Sequence, residues 1–262
     1  MLRVTERAHV FKRVGGAALE LRLYEPVGPR TGGAVVFFCG GGWLNGDLEQ
    51  FAPQSRHFAA RGMVAACAEY RVRNRHGATP FDGLADARAA IRWLRERAER
   101  LGFDADRLVA AGGSAGGHLA ACTAIIEDAE SPPSARPDAL VLFNPVLDTS
   151  PTGFGHERFG GRGHELSPLH HLGPDLPPTL ILQGEDDETT PLRTAAAFTK
   201  RMRETGNSCK LVSFAGEGHG FFNPGRGEGR TFTATLRHAD TFLGALGYLS
   251  PRPVNSKGAP QP

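Results

Sequence analysis

Residues Leu108 to Cys122 read LVAAGGSAGGHLAAC, an apolar run that passes through a glycine-walled turn around one serine into a helix-compatible stretch. A strand that turns into a helix this tightly constrains the fold. The residues flanking Ser114 must lack bulky side chains, because the helix folds back close to the strand it has just left. Gly112, Gly116 and Gly117 meet that need by having no Cβ. The sequence contains G-x-S-x-G in the strand–turn–helix context of a nucleophile elbow, where a serine hydroxyl stands at the top of a sheet and the next peptide N–H, that of Ala115, faces a developing oxyanion. With 34 glycines in 262 residues, the motif alone also fits a plain strand–helix turn, so it needs partners elsewhere in the chain.

The rest of the chain repeats the same alternation. Short apolar runs at Ala34–Phe38, Met63–Ala68, Leu108–Ala111, Ala139–Phe143, Thr179–Leu182 and Lys210–Phe214 read as strands of a parallel sheet covered on both faces. Upstream, His9–Val14 and Ala18–Tyr24 flank Gly15-Gly16, a hairpin signal. Helices are expected at Gln54–Arg61, Gly116–Asp128, Pro191–Glu204 and Thr231–Leu246. The clearest starts at Thr79-Pro80-Phe81-Asp82, an N-cap followed by a proline and an acid in the first turn. Its stripe of Leu84, Ala87, Ile91, Leu94, Ala98 and Leu101 runs to Gly102, and Arg88, Arg92 and Arg95 are expected on a solvated face. The fold class is therefore α/β, a doubly wound, mostly parallel sheet entered by an antiparallel hairpin. Residues 1–249 are expected to form one domain, with a Pro-rich, disordered tail at 250–262. The stretch Asp148–Pro178 is expected to be a surface loop shaping the site.

Bulk properties exclude several classes. The formal net charge is +2 and the basic residues are dispersed, which argues against a nucleic-acid stripe or a polybasic membrane anchor. No apolar run is long enough to span a bilayer. The opening MLRVTERAHVFKRVGG is charged throughout, without the apolar core of a signal peptide, so a cytoplasmic setting is expected. Cys39, Cys67, Cys122 and Cys209 lack metal spacing and read as buried free thiols. The ten histidines are scattered, and no metal or cofactor is expected.

A serine hydroxyl needs an adjacent base, and the base an orienting carboxylate. In this fold both must follow later strands. After the strand ending at Gly184 comes Glu185-Asp186-Asp187-Glu188; after the strand ending at Phe214 comes Gly216-Glu217-Gly218-His219-Gly220. His219 is the candidate base. Asp187 is the first choice of acid, with Asp186, Glu185 and Asp148 as alternatives. Beyond the strand ending at Phe38, Cys39-Gly40-Gly41-Gly42-Trp43 supplies consecutive glycines whose peptide N–H groups can face an oxyanion.

With these segments in hand, the chain resembles the α/β-hydrolase superfamily, specifically the hormone-sensitive-lipase-like and carbohydrate acetyl or feruloyl esterases. The resemblance rests on CGGGWLNGD (39–47), GGSAGGHLA (112–120), LQGEDDETTP (182–191) and GEGHGFFN (216–223). It implies an eight-stranded sheet with Ser114 as nucleophile, Asp187 as acid, His219 as base, and Gly41, Gly42 and Ala115 as the oxyanion hole. Asp187 gains over Asp186 because the family acid lies three residues after the strand-ending glycine. Cys39 stands where the family usually has histidine, so the means of tying down the oxyanion loop is an open question. No large helical cap is expected. The implied activity is hydrolysis of short-chain acyl esters, acetyl or feruloyl esters of carbohydrates among them, with Trp43 and Phe221 either lining the cleft or packing in the core. Amide hydrolysis on the same fold, as in arylformamidase-like relatives, and a non-catalytic ligand-binding protein are the competing readings. The expected partner is a small-molecule or carbohydrate ester.

Overall fold

A computed structural model describes residues 2–128, 132–226 and 229–249; the expected tail at 250–262 lies outside the described residues. Strands β1 (Arg3–Val14) and β2 (Ala17–Val27) form the hairpin, with Val14 paired to Ala17 across the turn. Gly15 and Gly16 both take positive φ there, 55° and 80°, the backbone that matches the twist of a two-residue hairpin. Both strands are longer than their apolar cores because β1 is an edge strand with a largely exposed surface.

The strands β3 (Ala34–Phe38), β4 (Val64–Ala68), β5 (Leu108–Gly113), β6 (Ala139–Phe143), β7 (Thr179–Gly184) and β8 (Cys209–Phe214) complete an eight-stranded sheet in the order β1-β2-β4-β3-β5-β6-β7-β8. All pairs from β4 to β8 are parallel. β3, β4, β5 and β6 are buried along their whole length, which explains their uninterrupted apolar runs. Side chains alternate across the sheet. Val36 and Phe38 face a core with Leu84, Leu119 and Phe198, whereas Val35 and Phe37 face one with Phe58, Leu236 and Leu243.

The helices supply those two layers: α1 (Ala52–Ala60), α2 (Arg73–His76), α3 (Pro80–Arg95), α4 (Ala98–Leu101), α5 (Ala115–Ile125), α6 (Leu192–Glu204) and α7 (Arg230–Ala245). α3, α5 and α6 cover one face; α1 and α7 cover the other. α3 starts with a complete capping box, Thr79 accepting from the Asp82 N–H while the Asp82 carboxylate accepts from the Thr79 N–H. The single long helix expected up to Gly102 is broken after Arg95, yet Ala98 and Leu101 stay buried, so the apolar stripe continues across the break. Glu96 is solvent-exposed, as expected of that face, but Arg88, Arg92 and Arg95 are half-buried rather than a solvated face. Arg88 donates to the Ile126 carbonyl at 2.7 Å and Arg95 to the Ala105 carbonyl at 2.7 Å. Both cap carbonyls of loops packed against the outer face of the helix, rather than facing solvent.

The 148–178 segment carries three short 3-10 turns, His156–Phe159, Gly163–Leu166 and Pro168–His170, and no cap domain. All four cysteines are buried and unpaired. Among the described residues no helix is long and apolar enough to cross a membrane, and no cluster of His, Cys, Asp or Glu could hold a metal.

Candidate active site

Ser114 sits between β5 and α5 with φ 52° and ψ −117°, a conformation costly for a side-chain-bearing residue. The neighbouring glycines make it reachable. A Cβ on Gly116 would lie 2.0 Å from the Phe38 carbonyl oxygen, and one on Gly112 would lie 2.6 Å from the Gly116 carbonyl. The turn is fastened by Ser114 N–H to the Phe143 carbonyl at 3.0 Å and by the Ser114 carbonyl accepting from His118 and Val146. Ala115 opens α5, so its N–H has no acceptor within the helix and is free to face the cleft.

The structure brings the three predicted side chains together. His219 Nε2 lies 3.0 Å from Ser114 Oγ, and its Nδ1 lies 2.8 Å from Asp187 Oδ2. Asp187 is 3% exposed. Its Oδ1 accepts from the Thr189 N–H (2.9 Å) and Thr190 N–H (2.8 Å), and its Oδ2 accepts from the Thr190 hydroxyl (2.8 Å) and Gln183 Nε2 (3.1 Å). Burial pushes the carboxyl up, but the hydrogen bonds from His219 and Thr190 outweigh it and hold Asp187 below the usual carboxylate range. The other acids do not reach the imidazole. Glu185 accepts from the Ser213 hydroxyl at 2.7 Å, Asp186 is exposed, and Asp148 accepts from the Ser150 N–H and the Ser167 hydroxyl within its own loop.

The glycine loop after β3 folds over Ser114. Gly41 (φ 131°) and Gly42 (φ 62°) lie in the region that favours glycine, and a Cβ on Gly41 would lie 2.2 Å from the Asn45 carbonyl oxygen. The Gly40 N–H is taken by Gln50 Oε1 at 2.7 Å. The Gly41 carbonyl accepts from the Leu44 and Asn45 N–H groups at 3.1 and 3.2 Å. Because a peptide plane carries its C=O and N–H in opposite directions, this turns the Gly42 N–H away from that tight turn.

Cys39 leaves the loop well fastened. Its carbonyl accepts the Tyr70 hydroxyl at 2.9 Å, and Arg158 donates to the Gly42 carbonyl at 3.1 Å. The Trp43 and Leu44 carbonyls accept from the Arg73 and Asn74 N–H groups. Main-chain and remote side-chain bonds thus replace an imidazole, which motif spacing could not show. Burial pushes the Cys39 thiol up to about 11, so it is an inert packing group rather than a nucleophile.

A cavity of about 320 Å³ opens onto Ser114 and His219, and its aromatic walls are Phe154 and Phe222. Trp43 and Phe221 take the core alternative, at 2% and 1% exposed. Trp43 packs edge-on against His118 and Phe159, and Phe221 packs against Phe214. A second space of about 630 Å³ adjoins the first through Gly40, Gly41, Gln50, Asn223 and Arg226, and Asp47 and Glu49 border it.

A serine–imidazole–carboxylate chain at the carboxyl ends of β5, β7 and β8, beneath a glycine loop, defines the hydrolase class of this fold. Residues 21–151 match the BD-FAE family and residues 151–245 the prolyl oligopeptidase family. The thermophilic esterase of Thermogutta terrifontis, solved with propionate bound, is 43% identical over 96% of this chain and 97% of that one, with a TM-score of 0.87. A second structure of that esterase, esterase 2, phosphoramylated by tabun, is 45% identical over 94% of this chain and 97% of that one, with a TM-score of 0.89. The esterase LipC of Mycobacterium tuberculosis is 27% identical over 71% of this chain and 52% of its own length. This chain belongs to the serine esterases of the α/β-hydrolase superfamily. It spans about half the length of the curated relatives it matches.

Proposed function

We propose that this protein hydrolyses carboxylic esters through a covalent acyl-enzyme, and that residues 1–249 act as a single catalytic domain. Ser114 Oγ attacks the ester carbonyl while His219 Nε2 accepts its proton. Asp187 holds the imidazole with Nδ1–H toward the carboxylate and stabilises the imidazolium. The Gly41, Gly42 and Ala115 N–H groups receive the tetrahedral oxyanion. His219 then protonates the departing alcohol, and a water deprotonated by the same imidazole releases the acid. The observation that carries this reading is the unbroken chain Ser114 Oγ–His219 Nε2, 3.0 Å, and His219 Nδ1–Asp187 Oδ2, 2.8 Å.

The substrate we infer has a short acyl group and a polar alcohol, as in acetyl or feruloyl esters of carbohydrates. Phe154 and Phe222 are the aromatic side chains in a cavity otherwise walled by glycines and polar residues, too little apolar surface for a long chain. The adjoining space offers donors and acceptors from Asp47, Gln50, Asn223 and Arg226 that suit hydroxyl groups. The test is a panel of p-nitrophenyl acetate, butyrate and octanoate with acetylated xylan and methyl ferulate, using Ser114→Ala as control. Acetate and butyrate are expected to exceed octanoate in kcat/KM, with no turnover by the control; an octanoate preference contradicts the inferred acyl pocket. The match to the prolyl oligopeptidase family over residues 151–245 favours amide hydrolysis as the second reading, and a p-nitroanilide turned over faster than the matching ester would establish it.

A further inference from the structure

Asn144, the first residue after β6, is fully buried and takes φ 34°. Its neighbours tie it to all three segments of the site. The preceding carbonyl, that of Phe143, accepts the Ser114 N–H at 3.0 Å. The Asn144 N–H donates to the Leu182 carbonyl at 2.8 Å, on the strand that leads to Asp187. Its own carbonyl lies 3.3 Å from the Thr190 hydroxyl, whose shorter contact is to Asp187. Its side-chain Oδ1 accepts the Gly220 N–H at 3.2 Å, one residue after His219. The Gly220 N–H needs an acceptor, which fixes the amide orientation and leaves Nδ2 as a buried donor with no partner among the described residues.

Two features of this position work against stability. A left-handed φ disfavours a side chain, and a buried amide donor without a partner bears its full desolvation cost. Glycine would relieve both. A side chain that is costly to the fold and sits in the wall of the catalytic cavity marks the position as a functional one. Its one side-chain hydrogen bond among the described residues goes to the peptide that follows His219.

We propose that Asn144 is a positioning residue that fixes the imidazole of His219 between Ser114 and Asp187 by holding the Gly220 N–H on Oδ1. It acts through His219 and makes no bond to the reacting atoms. The inference rests on the catalytic reading above, which Ser114→Ala tests separately: loss of turnover in that control upholds the reading whatever Asn144 does.

The experiment compares wild type, Asn144→Gly and Asn144→Asp by thermal unfolding and by kcat and KM on p-nitrophenyl acetate. Asn144→Gly removes the strain, the orphan donor and the Oδ1 acceptor together. Relief of the strain and of the orphan donor opposes the loss of the Gly220 acceptor and of a buried side chain, so the variant is expected to stay folded, with kcat lower by roughly 10- to 100-fold, the scale for a displaced catalytic group. KM is expected to move by less than about three-fold, a smaller change than in kcat, because the Asn144 hydrogen bond goes to Gly220 and the other cavity walls are kept. Asn144→Asp keeps an oxygen for the Gly220 N–H and is expected to retain more kcat than the glycine variant. A kcat for Asn144→Gly within about two-fold of wild type, or an aspartate variant no better than glycine, overturns the proposal.

Discussion

At the scale of single residues, the same side-chain type takes opposite roles according to burial. His219 bridges serine and carboxylate at the cavity edge, whereas His118, four residues after Ser114, is fully buried beneath Trp43 and donates Nε2–H to the Leu166 carbonyl at 2.7 Å. Burial lowers the His118 pKa to about 4 from 6.5. The unfolded chain therefore binds this proton more readily than the folded one, so the contribution to stability is complete above pH 6.5 and is lost as pH falls toward 4. At about 1.4 kcal/mol per pH unit, that window removes about 3 kcal/mol. His118→Gln keeps an N–H for Leu166 and does not titrate; unfolding free energies measured from pH 7 to 4 are expected to fall less steeply in this variant than in wild type. Asp187 acts lower on the scale. Its depressed pKa adds stability above the ordinary carboxylate value, which is lost as pH falls through the lowered one. Asp187→Asn, which disturbs the imidazole tautomer, is expected to lower kcat by about 10³- to 10⁴-fold while the protein stays folded by circular dichroism.

At the scale of elements, the most legible parts of the sequence were those where chemistry and backbone geometry coincide. GGSAGG marked the β5–α5 turn because a Cβ on Gly116 would collide with the Phe38 carbonyl, and no other residue type fits. Gly116→Ala is expected to abolish soluble expression or lower the unfolding midpoint severely, because the obstructing atom is backbone that cannot move aside. EDDE marked the acid's position but did not separate Asp187 from its neighbours; the family spacing did, and the Thr189 and Thr190 N–H groups supply the physical reason. Less legible were bonds between distant elements. Tyr70, Gln50 and Arg158 hold the glycine loop from positions that carry no motif, and the arginines of α3 looked solvated because helical periodicity does not reveal a loop packed over the outer face. Phe154 was hidden for the same reason, inside an irregular segment whose path is set by tertiary contacts. Arg158→Ala, which frees the Gly42 carbonyl, is expected to lower kcat by about 10-fold with little change in KM, a loss within the range of a weakened oxyanion donor.

At the scale of the whole molecule, the parallel sheet makes the site possible by ending β5, β7 and β8 on one edge, so that residues 73 and 32 positions apart in sequence (Ser114 to Asp187, Asp187 to His219) meet within hydrogen-bonding distance. Two apolar layers hold that sheet rigid, while the loop of residues 148–178 contributes Phe154 to the cavity and an Arg158 hydrogen bond to the glycine loop. The Ser114–His219–Asp187 geometry thus rests on strand ends, while irregular segments line much of the cavity. Exchanging Phe154 for alanine is expected to change the relative rates on acetate and butyrate esters while leaving Tm nearly unaltered, which a substrate panel and a melting curve would check. Ser114 activated as a nucleophile would form covalent adducts, and labelling tests this without a substrate. Folded protein treated with paraoxon and analysed by peptide mass spectrometry is expected to carry one phosphoryl adduct, on the peptide containing Ser114, absent from Ser114→Ala and slowed in His219→Ala. Folded wild-type protein that takes up no adduct, or takes it up on another residue, would rule out Ser114 as the activated nucleophile.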